Sequence, residues 1–428
     1  LAKDAILVVG PSTAFLRYID QVLPSLGETD IVLLTPGQLY PGINATIDDT
    51  FEVSGVKGGA RMAQVLTNAV SHWSNIPDSQ VNITTEGGTK LRISRSQLRD
   101  CVKSLSKRST YHSNREVFLK RVMDYLANNL ANDQGYEQVD HETRSDLIID
   151  FIDDRNVRRV LNLMWMPTTA QKVLTKLFAN PNFLRLVSRD LLSSQEQALL
   201  FRETGSPWTI DDVALLDECA ELLGEWARPF AAARETHSGY RELDAGEMRY
   251  GNRSGESAHT STVAERAHLD REWVYGHIVV DEAQELSEMA WRAIQRRAVR
   301  KSMTIVGDLQ QSSHPAGARD WNETLSWAGE KMALFTLNIT YRITEETVQS
   351  AIRELAKSGG NPPELVSIRN GSPTIHQNLS ENDVVDFLTT TMSGKAGRAC
   401  VILPDSLLRQ WQEQFQDQSA DLGFGPAA

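Results

Sequence analysis

The amino-acid sequence predicts an α/β fold in which helices cover both faces of parallel sheets. Short, fully apolar runs alternate with amphipathic stretches along the 428-residue chain, a pattern typical of buried parallel strands joined by helices. The composition, 41% apolar and 23% charged, is that of an ordinary globular protein. The chain is long enough for two or three domains, each with a core of its own.

The first strand–helix pair opens near the start of the chain. "AILVV" (5–9) reads as a buried strand, and a helix with apolar residues at helical spacing follows from about Pro11. "IVLLT" (31–35) is the next apolar run. We assign residues 1–50 to the start of a first α/β domain, and we expect the sequence to be a piece of a longer protein.

A long helical stretch interrupts the α/β pattern. Residues 51–234 are mainly helical in periodicity and are predicted to form an inserted subdomain. Residues 235–270 are polar and rich in Gly and Ser, which predicts a mobile loop.

Three further strand–helix pairs follow the loop. "HIVVD" (277–281) leads into a helix reaching about Arg300, and "MTIVGD" (303–308) follows it. Residues 271–335 complete the first α/β domain and residues 336–428 begin a second. That second domain contains a strand within "ALFTLNITYR" (333–342), a helix from the N-cap Thr344 to Gly359, and a final strand "ACVILP" (399–404) before a helix capped by Asp405.

Two adjacent carboxylates, Asp281 and Glu282, stand directly after the apolar strand "HIVV". Ligands of parallel α/β sheets bind at the carboxyl ends of the strands. There, one carboxylate can hold Mg²⁺ while the next deprotonates an attacking water, as nucleotide hydrolysis requires. The alternative is that both residues only begin the following helix, where carboxylates suit the helix dipole. The pair alone does not decide between these readings.

Other polar residues follow neighbouring strands. Gly307 and Asp308 end the next strand, with Gln311 three residues on, and Tyr341 and Arg342 follow a third apolar run. A metal-binding Asp, a carboxylate base, a Gln and an Arg could thus converge on one phosphate.

The motifs "VVDEAQ", "VGDLQQ" and "TYR" resemble the Walker B, third and fourth motifs of superfamily-one helicases of the UvrD/Rep type, in the same order and spacing. Three longer stretches resemble the HelD branch, the actinobacterial RNA polymerase-associated ATPases that include HelR. They are "VGPSTAFLRYIDQVLPSLGE", "GSPWTIDDVALLDECAELLG" and "GDLQQSSHPAGARDW".

The resemblance implies RecA-like P-loop NTPase sheets with a large helical insertion, part of a second RecA-like domain at the C-terminus, and ATP with Mg²⁺ as cofactors. It implies that Asp281 holds the metal, that Glu282 activates water, and that Arg342 stabilises charge in the transition state. Further residues would contact the nucleotide or its γ-phosphate: Gln284, Gly307, Asp308, Gln311 and Tyr341.

Two departures from the family pattern stand out. The sequence contains no G-x-x-x-x-G-K-[ST] loop, and "EGGTK" (86–90) and "SGKAG" (393–397) lack its spacing. We expect the loop to precede Leu1 and this chain alone to have negligible ATPase activity. His314 and Pro315 also stand where UvrD-type helicases carry an aromatic residue that stacks on single-stranded bases.

The partner is expected to be a protein. With a net charge of −12 the chain lacks the basic surface usual for duplex binding, and the resemblance implies RNA polymerase core as the partner. Single-stranded or duplex DNA remains a second candidate partner. Residues 133–156 hold eight Asp or Glu and two Arg, either as a solvated face or as an element that enters a basic channel.

The leading hypothesis is therefore an ATPase that frees and recycles RNA polymerase, and the HelR subgroup is linked to rifamycin resistance. A 3′–5′ DNA helicase acting in repair or recombination is the alternative, and a catalytically inactive binding module is a third. Three scattered cysteines, no apolar run of membrane-spanning length and no signal peptide favour a cytoplasmic setting without a membrane.

Overall fold

The protein is mixed α/β, with many helices and a parallel sheet of four strands. The computed structural model describes residues 5–22, 31–135, 141–226, 269–298, 302–359 and 362–372, with a few single positions elsewhere. The chain divides into two compact units, Leu1–Lys331 and Met332–Ala428. No helix in the described part is long and apolar enough to cross a membrane.

The sheet of the first unit has the strand order β2-β1-β5-β6, with every neighbouring pair parallel. Its inward side chains, such as Leu7 and Ile278, are fully buried, which explains why these strands read as continuous apolar runs. The sequence predicted all four strands. Their bounds are β1 Ile6–Val9, β2 Ile31–Leu34, β5 His277–Val280 and β6 Met303–Ile305.

Two predicted helices flank this sheet. Helix α1 spans Thr13–Val22, two residues after Pro11. Helix α12 spans Glu288–Arg297 and begins at Ser287, whose side chain accepts a hydrogen bond from the backbone N–H of Ala290. This side-chain bond satisfies one of the free amides of the first turn. Four apolar residues at helical spacing are buried and form the inner face of this part of the chain: Leu286, Met289, Ala293 and Ile294.

Between β2 and β5 the described chain is mainly helical, as predicted. An antiparallel hairpin of β3 (Val81–Thr84) and β4 (Lys90–Ile93) lies within it and was not predicted. The helices are α2 Phe51–Gly58, α3 Arg61–Ser71, α4 Arg95–Lys103, α5 Tyr111–Asp133, α6 His141–Asp153, α7 Arg155–Met164, α8 Ala170–Ala179, α9 Pro181–Val187, α10 Ser194–Leu200 and α11 Ile210–Leu223.

The "EGGTK" stretch is the turn of that hairpin. The backbone N–H of Thr85 donates to the carbonyl oxygen of Thr89, and Gly88 has a φ of +85°. A residue with a side chain is strained at this φ, so the glycine serves the turn. The stretch is therefore a hairpin turn, in agreement with its lack of phosphate-loop spacing.

Helix α11 is the buried centre of the helical segment. Its Asp217 contacts Arg296 at 2.6 Å and Arg297 at 2.9 Å, and its Glu218 contacts Arg292 at 2.7 Å. All three arginines belong to α12, the helix that follows the strand bearing Asp281. The helical segment is thus joined to α12 by ion pairs whose carboxylates are buried, and both belong to the first compact unit.

A second buried ion cluster joins α11 to α2. Asp212 contacts Lys57 at 2.9 Å and Arg202 at 2.6 Å, and Lys57 also contacts Asp49 at 2.7 Å. Burial by itself would raise the pKa of the Asp212 carboxyl. The nearby charges of Lys57 and Arg202 outweigh that effect and hold this pKa below its usual value.

The second unit contains the predicted helix α13, Glu345–Lys357, with Thr344 at its N-cap and Gly359 beyond its end with a φ of +81°. The predicted strand at 333–342 is reduced to β7, Ile339–Thr340, which pairs in parallel with β8, Val366–Ser367. The predicted strand at 399–404, its helix, "SGKAG" and most of the 235–270 loop lie outside the described residues.

Removing the shared cation of the α2–α11 cluster should destabilise the protein. Lys57→Met removes the ammonium group that the buried carboxylates of Asp49 and Asp212 share. We expect the free energy of unfolding to fall by about 3 kcal/mol, and urea denaturation measures this change. Arg61→Met is the matched control, because the Arg61–Glu196 pair is exposed and should contribute less than about 1 kcal/mol. Equal losses in the two variants would contradict a buried stabilising cluster.

Candidate functional site

The carboxyl ends of three neighbouring strands are joined by backbone hydrogen bonds at the candidate site. The N–H of Asp281 donates to the carbonyl oxygen of Val9 at 3.0 Å, and the N–H of Ala283 donates to that of Val306 at 3.0 Å. The side chains of Asp281 and Glu282 are partly exposed at this edge. The two carboxylates therefore lie where parallel sheets bind their ligands.

Glu282 has an unusual backbone conformation. Its φ of 49° and ψ of 41° place it in the left-handed region, which costs a non-glycine residue on the order of 1 kcal/mol. Its carboxylate accepts a 2.7 Å hydrogen bond from Nε2 of Gln284. Such strain concentrates at functional sites, and here it turns the chain so that the carboxylate meets this amide.

Gln284 connects the tips of β5 and β6. Its side chain is buried, and its Oε1 accepts a 2.9 Å hydrogen bond from the backbone N–H of Asp308 while its Nε2 binds Glu282. Gly307 allows this approach, because a Cβ at that position would lie 2.6 Å from the amide oxygen. Both ends of the amide are in use, so Gln284 orients Glu282 within this structure.

Asp308 organises the turn that follows β6. One carboxylate oxygen accepts from the backbone N–H of Gln310 at 3.0 Å, and the other accepts from Nε2 of Gln311 at 2.8 Å. Gln311 is exposed, and Asp308 holds its amide close to the turn. The structure thus brings together six of the predicted site residues: Asp281, Glu282, Gln284, Gly307, Asp308 and Gln311.

The two remaining predicted residues lie in the second unit. Tyr341 and Arg342 are both exposed, and the guanidinium of Arg342 lies 6.0 Å from the centre of the Tyr341 ring. Arg369 donates to the backbone carbonyl of Arg342 at 3.3 Å. Convergence of these two side chains with the six above stays a prediction.

Residues 307–318, which we name the sensor loop, are fastened to the chain after β5. The carboxylate of Glu285 accepts three hydrogen bonds, from the backbone N–H and hydroxyl of Ser313 at 2.7 and 2.9 Å and from the N–H of His314 at 3.0 Å. The backbone carbonyl of Gln284 accepts from the N–H of Ala318 at 2.8 Å. The two loops therefore form one hydrogen-bonded body.

His314 and Pro315 point toward the helical segment. Nε2 of His314 lies 3.2 Å from the carboxylate of Asp211, whose other oxygen accepts from the hydroxyl of Ser54. Pro315 lies against Gly55, where an added Cβ would lie 3.4 Å from the proline. The two residues that stand in place of a base-stacking aromatic are thus turned toward α2 and α11.

The donor set at the strand tips is suited to Mg²⁺. This ion is held by one or two carboxylates together with waters and substrate phosphates, and Asp281 supplies such an oxygen at the sheet edge. Within the described residues no group of three or more His, Cys, Asp or Glu side chains could hold a metal by itself. The residues fit a metal that shares its ligands with a nucleotide, and they do not form a closed protein cage.

Sequence reasoning missed the residues that hold the loops together. Glu285 directly follows the "VVDEAQ" motif, but nothing in the local sequence reveals the three hydrogen bonds that it accepts from the sensor loop. Asp211 and Ser54 lie 103 and 260 residues before His314 in the chain, and no local pattern could connect them with it.

No family model and no curated protein sequence matches this chain. The functional assignment therefore depends on the residues and the geometry described above.

Releasing the sensor loop from Glu285 should be visible in solution. In Glu285→Ala the amides of Ser313 and His314 lose their carboxylate acceptor, and we expect hydrogen exchange across 312–318 to become about tenfold faster. Hydrogen–deuterium exchange of the 428-residue chain measures this. Glu323→Ala is the control, because that carboxylate is exposed on the neighbouring turn and should leave 312–318 unchanged. Unaltered exchange in Glu285→Ala would show that the carboxylate does not hold the loop.

Proposed function

We propose that this chain is part of an ATP-hydrolysing, UvrD-like motor of the HelD type, which binds RNA polymerase core and frees it from stalled or nucleic-acid-bound complexes in the cytoplasm. The observation that carries the proposal is the Gln284 side chain, which joins the carboxylate of Glu282 to the backbone of Asp308 at the carboxyl edge of a parallel sheet. The proposed fold is RecA-like in both units.

The proposed roles follow from position. Asp281 would hold Mg²⁺ at the strand tip, and the metal would supply positive charge that neutralises the phosphates of the nucleotide. Glu282 accepts the proton of the attacking water, and Gln284 keeps its carboxylate in place. Gln311, exposed and tethered to Asp308, contacts the γ-phosphate. From the second unit, Arg342 stabilises the transferred phosphoryl group and Tyr341 packs against the adenine.

A phosphate-binding loop is the part that this sequence does not contain. Without it the phosphates lack the backbone cradle and the Lys that P-loop enzymes use. "EGGTK" is the turn of the β3–β4 hairpin, and it offers no strand-to-helix loop of that type. We infer that a longer protein supplies the loop and that the 428-residue chain alone hydrolyses ATP negligibly.

A protein partner is favoured over strand unwinding by the direction of the sensor loop. His314 is bound to Asp211, with about a fifth of its side chain exposed, and Pro315 faces Gly55. This part of the loop therefore presents no aromatic face on which single-stranded bases could stack. The net charge of −12 agrees with a partner whose surface is basic.

Glu282→Gln in the longer protein should separate nucleotide binding from hydrolysis. The amide cannot accept the proton of the attacking water, so we expect phosphate release to fall at least about 100-fold while the affinity for a fluorescent ATP analogue stays within about threefold. Glu323→Gln, on an exposed turn, should leave both unchanged. Phosphate release near the wild-type rate in Glu282→Gln would refute the assignment of this residue.

The same assay tests the helicase alternative. The proposal predicts that single-stranded DNA changes ATP turnover by less than about twofold, because the sensor loop offers no stacking platform. Stimulation of many-fold would favour a DNA helicase acting in repair. Robust turnover by the 428-residue chain itself would contradict the inference that the phosphate loop is supplied from elsewhere.

The acidic stretch at 133–156 is only partly available for a partner. Asp154 caps α7 by accepting from the N–H groups of Asn156 and Val157, and it also accepts from the N–H of Glu86 in the hairpin turn. Its role is therefore structural. Asp146 and Asp150 are exposed on α6, and they are the better candidates for entering a basic channel.

Charge reversal on α6 should weaken polymerase binding. In the longer protein we expect Asp146→Lys with Asp150→Lys to lower the affinity for RNA polymerase core about tenfold, with the largest effect at low salt. Glu52→Lys with Glu203→Lys makes the same charge change at other exposed positions and is the control. Biolayer interferometry measures both. Equal affinity in the two variants would indicate that the acidic stretch is only a solvated face and does not bind the polymerase.

A further inference from the structure

One segment of this acidic protein is strongly basic. Residues 90–121 hold ten Lys and Arg and only two carboxylates, Asp100 and Glu116, in a chain of net charge −12. The segment runs from β4 through α4 into the first half of α5. A local positive stripe of this kind is the electrostatic signature of a polyanion-binding surface.

Most of these cations are exposed and five of them have no acidic partner. Arg115 alone is buried, where it donates to the backbone carbonyl of Trp165 and to Asn162. Arg92, Arg95, Arg99 and Arg121 contact carboxylates. Within the described residues no ion pair involves the other five, which are Lys90, Lys103, Lys107, Arg108 and Lys120.

Helices α4 and α5 pack against each other beside several of these cations. Asp100 of α4 accepts a 2.7 Å hydrogen bond from the Tyr125 hydroxyl of α5 and lies 3.7 Å from Arg121. Lys103 follows Asp100 by one helical turn, so it lies near the same face. Lys107 and Arg108 occupy the connection that leads from α4 to α5.

A groove continues this surface toward α6. Its volume is about 510 Å³, and its walls include three cations, Lys120, Arg121 and Arg144, together with Tyr125 and one carboxylate, Asp124. The Nε of Arg144 is buried and has no hydrogen-bond partner among the described residues, which leaves a donor available in the wall of the groove. Val117, partly exposed, supplies an apolar contact beside these cations.

We propose that this surface binds the sugar–phosphate backbone of a single nucleic-acid strand. We name it the basic face and define it as Lys103, Lys107, Arg108, Lys120, Arg121 and Arg144. Among the described residues no ion pair involves five of these six cations, and the sixth, Arg121, lies 3.7 Å from Asp100. Binding of such cations to phosphates releases the counterions of the nucleic acid. The Tyr125 ring in the groove favours nucleic acid over an acidic peptide, because bases stack on aromatic rings.

The basic face is distinct from the strand tips that hold Asp281 and Glu282, and its function does not depend on ATP hydrolysis. A motor that clears nucleic acid from a polymerase would gain a place to hold the displaced strand. The inference is tested without nucleotide and without polymerase, so its failure and that of the proposed ATPase are separate outcomes.

The test measures binding of a fluorescein-labelled, mixed-sequence single-stranded DNA of about 20 nucleotides to the 428-residue chain by fluorescence anisotropy. We expect the logarithm of the affinity to fall linearly with the logarithm of the salt concentration. The slope should be about −3.5, as about five phosphate contacts to a single strand require. Four substitutions, Lys103→Gln, Lys107→Gln, Arg108→Gln and Lys120→Gln, should together lower affinity at least about tenfold and reduce the slope toward zero.

The matched control removes four exposed cations elsewhere: Arg158→Gln, Arg159→Gln, Arg185→Gln and Arg189→Gln. It makes the same change in net charge and should keep affinity within about twofold, with circular dichroism confirming that both variants fold. Absence of binding by the wild-type chain, or equal losses in both variants, would overturn the proposal. Binding of poly-glutamate without binding of DNA would also overturn it and assign the basic face to an acidic protein partner.

Discussion

The ionic contacts of helix α11 are the constraint on which the first unit depends. An acidic helix at the centre of a fold is costly to bury unless every charge is paired. Asp212 is paired by Lys57 and Arg202 on one side, and Asp217 and Glu218 are paired by arginines of α12 on the other. Buried carboxylates of α11 therefore join the helical segment to α12, the helix that follows the candidate site in the chain.

The candidate site is held by amides and carboxylates that bind one another. Gln284 spans two strand tips, Asp308 holds Gln311, and Glu285 holds the sensor loop. His314 then continues the chain of contacts to Asp211, at the start of α11. A shift of the sensor loop would therefore change a contact at the start of α11. This contact gives a physical route from the strand tips to the helical segment.

Charge is unevenly distributed along the chain. Asp146 and Asp150 are exposed on α6, whereas the cations of the basic face lie on α4, on α5, in the connection between them, and at Arg144 of α6. The acidic residues would complement a basic surface, and the basic face would complement phosphate. The two lie on neighbouring helices of the same unit. Under the function proposed above, the acidic residues would contact the polymerase and the basic face would hold the strand.

The sequence by itself determined the four strands, their parallel class, and the residues at their tips, because apolar runs and polar strand ends are local patterns. It also determined that a phosphate-binding loop is missing, since that motif is contiguous. It did not reveal the β3–β4 hairpin, the inward direction of His314, or the role of Glu285. Those features depend on contacts such as Ser54 with Asp211, which lie 157 residues apart. Only the tertiary structure determines such pairs, because the local sequence around a residue does not identify a partner that lies far away in the chain.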